Sequence, residues 1–292
     1  MNYKLIRFKN GLYCPHCKGK QIVLWGKRNN IQRYKCKSCS KFFNDLTKTP
    51  LAYSKSLNKW PNMMKALQQS LSVRKTADYL GISISTAFRW RHRFLSGLHD
   101  SRDNIFLTGI VEIDETMFKY SEKGSRQLNR PPRKRGGPAT KSGRSKEHVY
   151  AVIARDRTNL TRSFLLERMS GKVLIKELGP VIDRKSQVCT DSWQSYRSFT
   201  GWLNLRHYQL NIKRGKRVIH GIYHIQNVNS YHSRLKTWIR KFNGVATKYL
   251  LNYLTWFEHL DESNKLQYGL GEQFLLSNVI SPPKFHFGYR AA

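Results

Sequence analysis

Two closely spaced cysteine pairs near the N-terminus constrain the fold of this chain more than any other feature. Cys14 and Cys17 form one C-x2-C pair, Cys36 and Cys39 form the other, and 18 residues separate the two pairs. Two such knuckles can place four thiolates at the corners of a tetrahedron, which is typical of a closed structural zinc site. We therefore predict that residues 1–48 form a zinc ribbon with Zn²⁺ as its cofactor. Two disulfides or four unlinked thiols are the alternatives, although the basic N-terminus lacks the apolar segment of a secretory signal that would favour disulfides.

The net charge of the chain predicts a polyanionic partner. Among 292 residues there are 53 Lys and Arg against 18 Asp and Glu, a formal net charge of +35. Nucleic acid is the partner that this excess favours, and charge that only aids solubility is the alternative. A hydrophobic fraction of 39% is enough for a folded core, which excludes wholesale disorder. No apolar run approaches the roughly 18 residues of a membrane span, so we expect no membrane partner and a cytoplasmic protein.

A helical pattern in residues 49–100 predicts a helix-turn-helix that binds double-stranded DNA. Apolar residues recur at helical spacing from Met63, and Gly81 is placed to open the turn between two helices. The second helix would present its first residues to the DNA groove. The residues expected to contact DNA are Ser85, Thr86 and Arg89, with Arg91 and Arg93 continuing onto phosphates. An ordinary helical hairpin is the alternative.

Residues 105–262 change to an α/β pattern with a mixed sheet. Strands are predicted at 109–114, 148–154, 161–166 and 187–191, with 203–210 as a fifth, and helices at 173–178 and around 249–257. The segment 121–147 interrupts this pattern with nine Lys and Arg and with Pro and Gly residues that exclude a helix or a central strand. We expect a basic loop whose Arg133, Lys134 and Arg135 follow DNA phosphates, and a solvated linker is the alternative.

Acidic residues are concentrated where the predicted strands end. Glu112, Asp114 and Glu115 cluster on the first strand, whereas residues 192–257 contain no Asp or Glu. Asp114 and Asp191 are predicted at the C-terminal ends of two apolar strands, so adjacent strands would bring them together. Paired carboxylates can share hard divalent ions such as Mg²⁺ or Mn²⁺, which activate an attacking oxygen in phosphodiester chemistry. Asp191 as a simple helix N-cap is the alternative.

The ordered set of motifs resembles the DDE-type insertion-sequence transposases of the ISXO-two-like group over nearly the whole chain. The matching segments are the two cysteine pairs, 47–51, the helix-turn-helix, 111–116, the Arg-Lys-Arg-Gly-Gly loop, 145–148, 190–196 and 224–236. The resemblance implies an RNase H-like mixed sheet flanked by helices, with Asp114 on the first strand and Asp191 on the fourth. It also implies that both carboxylates hold Mg²⁺ or Mn²⁺.

The resemblance assigns the third position of the usual acidic triad as well. Asn229 occupies it, 38 residues after Asp191, and Lys236 follows seven residues later on the same helical face. An Asn offers the metal a neutral carbonyl ligand, and Lys236 is expected to hold a phosphate. His224 belongs to the same motif and is expected to contact DNA or to mark the helix entry. Glu115 is expected beside the site or on the surface rather than as a ligand.

The activity that the resemblance implies is DNA transposition. Water or a 3′-hydroxyl would attack a phosphodiester in line, first in hydrolysis and then in strand transfer, at the terminal inverted repeats of an insertion sequence. The ribbon and the helix-turn-helix would recognise the repeats, and a homodimer would hold two element ends. The alternatives are a DNA-binding regulator with a degenerate catalytic domain, and an RNase H-like nuclease or resolvase. Residues 263–292, the C-terminal tail, carry no functional signal.

Overall fold

The computed structural model describes residues 4, 7–8, 10–28, 30–49, 51–53, 56–100, 106–128, 131–132, 145, 147–211 and 214–263. The chain divides into two compact units, one containing residues 1–102 and the other residues 103–266. Three predicted DNA contacts in the basic loop, Arg133, Lys134 and Arg135, lie outside the described residues. So do residues 264–292 of the C-terminal tail.

The N-terminal ribbon is a three-stranded antiparallel sheet. Its strands are β1 (Ile22–Arg28), β2 (Ile31–Cys36) and β3 (Phe42–Asn44), in the order β1-β2-β3. One face packs around Tyr34 and Phe43, whose stacked rings lie 5.1 Å apart, and this small core also contains the sulfur atoms of Cys14 and Cys36. Strands β2 and β3 bury Tyr34, Cys36 and Phe43 on this face, whereas β1 contributes only the half-buried Ile22.

Among the described residues, three helices follow the ribbon in the first unit, and two of them form the predicted helix-turn-helix. They are α1 (Trp60–Gln68), α2 (Val73–Leu80) and α3 (Ile84–Asp100), with a 3-10 turn at Leu57–Lys59 before them. The Ser72 side chain caps the start of α2, and Gly81 ends it with a φ of 59°, a left-handed conformation that favours glycine. Lys59 Nζ donates to the free carbonyls of Leu80 and Gly81. The turn is thus closed by local sequence signals.

The second unit is built on a five-stranded mixed sheet. Its strands are β4 (Ile110–Lys119), β5 (His148–Asp156), β6 (Thr161–Leu166), β7 (Gln187–Thr190) and β8 (Arg206–Gln209). Its helices are α4 (Gly171–Leu178), α5 (Gln194–Trp202), α6 (Gln226–Arg240) and α7 (Thr247–Ser263), with a 3-10 turn at Gly179–Val181. The strand order is β6-β5-β4-β7-β8, antiparallel through the first three strands and parallel from β4 to β8. This arrangement confirms the predicted α/β class and the RNase H-like mixed sheet.

The central strand β4 has two differently used faces. Val111 and Ile113 are fully buried in the main hydrophobic core, together with Tyr196 of α5. Glu112 and Asp114 alternate with them and therefore point to the other face of the sheet. The start of α6 lies on that second face, where the Val228 backbone N–H donates to Glu112. Glu112 and Asp114 thus lie on the face opposite the core, whereas Glu115, which accepts from Tyr196, lies on the core side of β4.

Two strand predictions need correction. The first predicted strand, 109–114, extends to Lys119 because β4 pairs with β5 along its whole length, as far as the Lys119–His148 pair. Asp114 therefore lies in the middle of a strand rather than at its C-terminal end. The last predicted strand, 203–210, is shorter and covers Arg206–Gln209, the four residues that pair with β7.

Candidate active site

The four cysteine thiols of the ribbon form a cluster that fits a structural zinc ion. Cys14 Sγ lies 3.6 Å from Cys39 Sγ, Cys17 Sγ lies 3.6 Å from Cys36 Sγ, and all four sulfurs are within 4.8 Å of one another. Sulfurs bound tetrahedrally at a Zn–S distance of about 2.3 Å are about 3.8 Å apart, whereas a disulfide requires about 2.05 Å. The cluster therefore suits zinc and not a pair of disulfides.

The parallel pairing of β4 and β7 brings the two predicted aspartates together. Glu112 of β4 is opposite Cys189 of β7, so two residues further along each strand Asp114 reaches the level of Asp191. Strand β7 ends at Thr190, and the Oδ1 atom of Asp191 accepts the Trp193 backbone N–H at 2.9 Å in the turn that leads to α5. Asp191 is therefore both a turn residue and a member of the acidic cluster.

Glu115 is the third carboxylate of this cluster. Carboxylate oxygens of Asp114, Glu115 and Asp191 all lie within 4.8 Å of one another. The Tyr196 hydroxyl donates to Glu115 Oε2 at 2.8 Å, and burial, followed by the Glu115 charge, raises the Tyr196 pKa well above its usual value. The phenol thus keeps its proton and holds Glu115 in place. The structure puts Glu115 among the possible metal ligands, closer to the site than the sequence indicated.

The acidic cluster is electrostatically poised for a cation. Burial raises the pKa of Asp114 to about 7, and repulsion from Glu115 and Asp191 adds to this shift, while Lys236 opposes it. Three carboxylates at such close range repel one another unless a positive charge is placed between them. Hard oxygen donors of this kind are the ligands that Mg²⁺ and Mn²⁺ prefer. The residues present therefore fit the divalent ion that the family resemblance implies.

Helix α6 presents a polar face to Asp114. His232 is buried, and its Nδ1 atom lies 3.6 Å from Asp114 Oδ2. Burial, followed by the nearby charge of Lys236, lowers the His232 pKa to about 4, so this imidazole is neutral at pH 7. Asn229 precedes His232 by three residues and Lys236 follows it by four, so all three share one helical face. Asn229 and Lys236 are exposed, which leaves them accessible to a ligand.

Glu112 attaches the start of α6 to the central strand. Its side chain is 1% exposed, and its two oxygens accept from Asn227 Nδ2 at 2.8 Å and from the Val228 backbone N–H at 3.0 Å. Arg157 Nη1 forms an ion pair with the same carboxylate at 3.0 Å. Because the first N–H groups of a helix lack intrahelical acceptors, a buried carboxylate is a strong anchor there. Glu112 therefore positions α6 and is not part of the acidic cluster.

His224 belongs to this anchor. Its Nε2 atom lies 3.1 Å from Arg157 Nη1, and its Nδ1 atom accepts the Gln226 backbone N–H at 3.2 Å and lies 3.4 Å from Glu112 Oε1. Of the two roles that the sequence left open, these contacts favour the residue at the helix entry over the DNA contact.

The predicted DNA-facing helix α3 leaves two of its five candidate residues exposed. Ser85 and Arg89 are exposed and Thr86 is half-buried. Arg91 is fully buried, and its guanidinium donates to the Leu71 carbonyl and to Thr76 Oγ1, so the expectation that it binds phosphates is wrong.

Arg93 is intermediate between these cases. It is half-buried, and burial, followed by repulsion from Arg89, lowers its pKa. Its Nη1 atom lies 3.4 Å from the Ala52 carbonyl. The Arg93 side chain is therefore partly engaged in a contact within the first unit.

Sequence reasoning gave no role in the site to Glu112, His232 or Arg157, and two of these residues had a usable signal. Glu112 lies two residues before Asp114, so strand alternation puts both on one face. His232 lies between Asn229 and Lys236 at helical spacing, which puts it on the same face. Arg157 had no local signal, because its contact with Glu112 depends on how β5 and β4 pair.

Comparison with known families identifies both units. Residues 106–259 match the ISXO2-like transposase domain, and residues 59–101 match a homeodomain-like domain. A protein of Halobacterium salinarum (strain ATCC 700922 / JCM 11081 / NRC-1), described as an uncharacterized protein in transposable element ISH50, is 29% identical over 265 residues. These cover 87% of this chain and 86% of that protein.

Solved structures of transposases are also similar in parts. The pre-cleavage Mos1 transpososome is 14% identical, with 77% of this chain and 81% of that chain covered and a TM-score of 0.23. The Drosophila P element transposase strand transfer complex is 12% identical, with 77% and 65% covered and a TM-score of 0.32. At these TM-scores the likeness carries no further argument.

Within the part of the chain that the structure describes, none of the helices has the length and apolar character of a membrane span.

Proposed function

We propose, from the premise that this chain belongs to the ISXO2-like transposase family, that Asp114 and Asp191 form its catalytic metal centre. The chain is a DNA transposase of the DDE type. The observation that carries the assignment is the acidic cluster, in which oxygens of Asp114, Glu115 and Asp191 lie within 4.8 Å of one another. Asp114 and Asp191 would hold Mg²⁺ or Mn²⁺, with the Glu115 carboxylate or the Asn229 amide as a further ligand.

The residues around the centre have complementary roles. A bound divalent ion supplies Lewis-acid stabilisation to the attacking and leaving oxygens of a phosphodiester. Lys236 brings a positive charge that is exposed and close enough to lower the pKa of Asp114, which suits it to hold a DNA phosphate. Neutral His232 packs beside Asp114 without adding a charge that would repel a cation. Glu112 fixes the helix that carries these groups.

The first unit supplies the sequence-reading surface in this proposal. Ser85, Thr86 and Arg89 at the start of α3 would contact the terminal inverted repeats of the element. Arg133, Lys134 and Arg135 of the basic loop would contact phosphates.

Because two element ends react together, we propose a homodimer on DNA that acts on nucleoid DNA in the cytoplasm.

A cleavage and strand-transfer assay tests this proposal. The full-length, zinc-loaded protein is mixed with labelled DNA that carries the inverted repeats flanking its gene, with Mg²⁺, with Mn²⁺ or with a chelator. We expect metal-dependent cutting at the element ends and joining to target DNA. Asp114→Asn and Asp191→Asn should each lower the rate at least about 1,000-fold, which is about 4 kcal/mol of activation free energy.

A matched control separates catalysis from folding. Asp183 is an exposed acid in the turn before β7, so Asp183→Asn removes one carboxylate of the same unit and should leave the rate unchanged. Lys236→Ala should lower the rate by about 10-fold to 100-fold, as expected for one lost phosphate contact. Binding of validated ends without cutting in either metal would contradict the proposed centre. Retained cutting by Asp191→Asn would contradict the ligand assignment.

A further inference from the structure

The ribbon exposes an aromatic surface on the side of the sheet opposite its zinc-bearing core. Trp25 of β1 and Phe42 of β3 are 47% and 44% exposed, and their ring centroids lie 5.3 Å apart. Arg33 and Lys35 of β2 lie beside them. We call these four residues the aromatic face. Large apolar side chains that remain exposed together on a small domain indicate a binding surface.

Strand pairing explains why these side chains point outward. Tyr34 pairs with Phe43, and both are buried on the inner face. Lys35 pairs with Phe42 one residue further along, so strand alternation directs this pair to the outer face. The β1–β2 register shifts next to Trp25, where Gly26 adopts a φ of 65°. The fold therefore sets the aromatic face on a rigid sheet and not on a loop.

A Lys or Arg side chain lies close to each aromatic ring of the aromatic face. Lys35 Nζ lies 5.0 Å from the Trp25 ring centroid and 5.6 Å from that of Phe42, and Arg33 Cζ lies 5.4 Å from the Phe42 centroid. The first acidic residue of the whole chain is Asp45, so residues 1–44 contribute only positive charge. Rings that can stack and cations that can pair with phosphates are the two features that a nucleic acid strand uses together.

We infer that the aromatic face binds unpaired DNA bases, with Trp25 and Phe42 stacking on bases and Arg33 and Lys35 holding the adjoining phosphates. This inference rests on the proposed function, because cutting at an element end creates strand ends whose bases can unpair. The ligand that we infer for the ribbon, unpaired bases, differs from the groove of duplex DNA that α3 would contact.

The geometry favours unpaired over paired bases. In a duplex the base faces are covered by their neighbours, and only base edges and phosphates are accessible. Aromatic side chains on the surface of a sheet can reach base faces only where the bases are unstacked. A surface that served duplex phosphates alone would need Arg33 and Lys35 but would gain nothing from exposed rings.

Binding of three oligonucleotides to the full-length, zinc-loaded protein tests this inference by fluorescence anisotropy. The probes are an oligothymidine of about 12 nucleotides, the same strand with abasic sites in place of its bases, and a duplex of equal length. The abasic strand keeps the phosphates and removes the stacking partners. We expect the wild-type protein to bind the oligothymidine about 10-fold more tightly than the abasic strand, because stacking on an aromatic side chain contributes substantially for each base.

Paired variants locate the effect on the ribbon. The double variant Trp25→Ala/Phe42→Ala should bind the oligothymidine about 10-fold more weakly, to the level of the abasic strand, with duplex affinity changed by less than about 2-fold. Trp25→Phe should restore most of the loss because it keeps a stacking ring. Trp202 is a matched control, since it is a 72% exposed tryptophan in the second unit, and Trp202→Ala should leave all three affinities unchanged. Zinc content measured on every variant verifies that its ribbon is folded.

Two outcomes would overturn the inference, and neither depends on catalysis. Equal losses on the oligothymidine and on the duplex would show that the aromatic face serves duplex DNA, and unchanged affinities would show that it serves another partner. The cleavage assay on Asp191→Asn tests the proposed function separately, because that variant retains the ribbon. Stacking on Trp25 without any cleavage would uphold the inference and refute the proposed function. Cleavage without stacking on Trp25 would uphold the proposed function and refute the inference.

Discussion

The cysteine cluster and the acidic cluster are two ligand sets that the chain assembles in different ways. The four thiols come from a stretch that begins at Cys14 and ends at Cys39, and their sulfurs meet beside one small sheet that contains Cys36. The carboxylates come from Asp114, Glu115 and Asp191, and they meet because β4 and β7 pair in parallel. One site is local in the sequence, whereas the other depends on a whole sheet.

This difference predicts how each site responds to damage. A ribbon of this size has a small core, so its folding depends on the metal that the thiols hold. The acidic cluster is held by a sheet whose core is filled by apolar side chains, so the sheet does not need the ion in order to fold. Loss of ligands should therefore unfold the ribbon but only inactivate the second unit.

The largest expected effect is the loss of a zinc ligand. Cys36→Ser should release the metal and remove about 10 kcal/mol of metal-linked folding free energy from the ribbon. Hydrogen exchange should then show loss of amide protection in β1, β2 and β3, with protection in β4 and β5 unchanged. Cys189→Ala is the control. Cys189 lies on β7 of the second unit, so this variant should retain the zinc ion of the ribbon. If the ribbon amides remained protected in zinc-free protein, the ribbon would fold without its metal and the expected difference between the two sites would be wrong.

The next effect concerns the anchor of α6. Glu112→Ala leaves Arg157 and the Val228 N–H without their buried carboxylate, which should lower the free energy of unfolding by about 3–5 kcal/mol. The cleavage rate should fall as well, because α6 carries Asn229 and Lys236. Urea unfolding and single-turnover cleavage measure the two losses.

A surface ion pair is the control for Glu112. Glu177 lies 3.8 Å from Lys176, whose side chain is 82% exposed, so Glu177→Ala should cost less than about 1 kcal/mol. If Glu112→Ala were no more costly than Glu177→Ala, the anchor would contribute little to the second unit.

Placing a carboxylate at the third position of the usual acidic triad should enlarge the contrast between the two ligand sets. Asn229→Asp replaces a neutral donor with a charged one on the face of α6 that meets Asp114, so Mg²⁺ should bind more tightly. We expect the half-saturating Mg²⁺ concentration for cleavage to fall about 10-fold, which is about 1.4 kcal/mol. Ser230→Asp adds the same charge one residue away, beside Arg234, and should leave that concentration unchanged. An equal response of both variants would place Asn229 away from the metal.

The smallest expected effect is the pH dependence from His207. Its ring nitrogens lie 2.8 Å from Thr190 Oγ1 and 3.1 Å from Thr200 Oγ1, and burial, followed by repulsion from Arg197, lowers its pKa below the usual 6.5. Below pH 6.5 the unfolded chain therefore binds a proton that the folded chain excludes, and stability falls as the pH decreases.

The loss from this single group is at most about 1.4 kcal/mol per pH unit. Urea unfolding at pH 7.5 and 5.5 should show a smaller decrease for His207→Gln, whose side chain is neutral at both values, than for the wild type. Identical decreases would mean that other groups cause the acid sensitivity of the second unit.

Much of the fold was predictable because its signals are local. Apolar runs predicted the positions of β5 and β6, and Gly81 marked the turn of the helix-turn-helix. The length of β4 was not predictable in the same way, because polar residues after Asp114 remain in the strand only through pairing with β5. Arg91 was assigned to phosphates because a basic residue near the start of a recognition helix usually faces DNA. Its contacts with Leu71, in the connection between α1 and α2, and with Thr76 of α2 are invisible along α3.

Local sequence signals predicted the cysteine cluster, the strand that carries Asp114, the strand that ends at Thr190 just before Asp191, and the helical spacing of Asn229 and Lys236. Each depends on residues close together in the chain, where spacing and periodicity act directly. Only the tertiary structure decided that Glu115 joins the acidic cluster and that Glu112 anchors α6. Both roles require groups more than 80 residues away, Tyr196 for Glu115 and Val228 for Glu112, which meet β4 only after the sheet has formed.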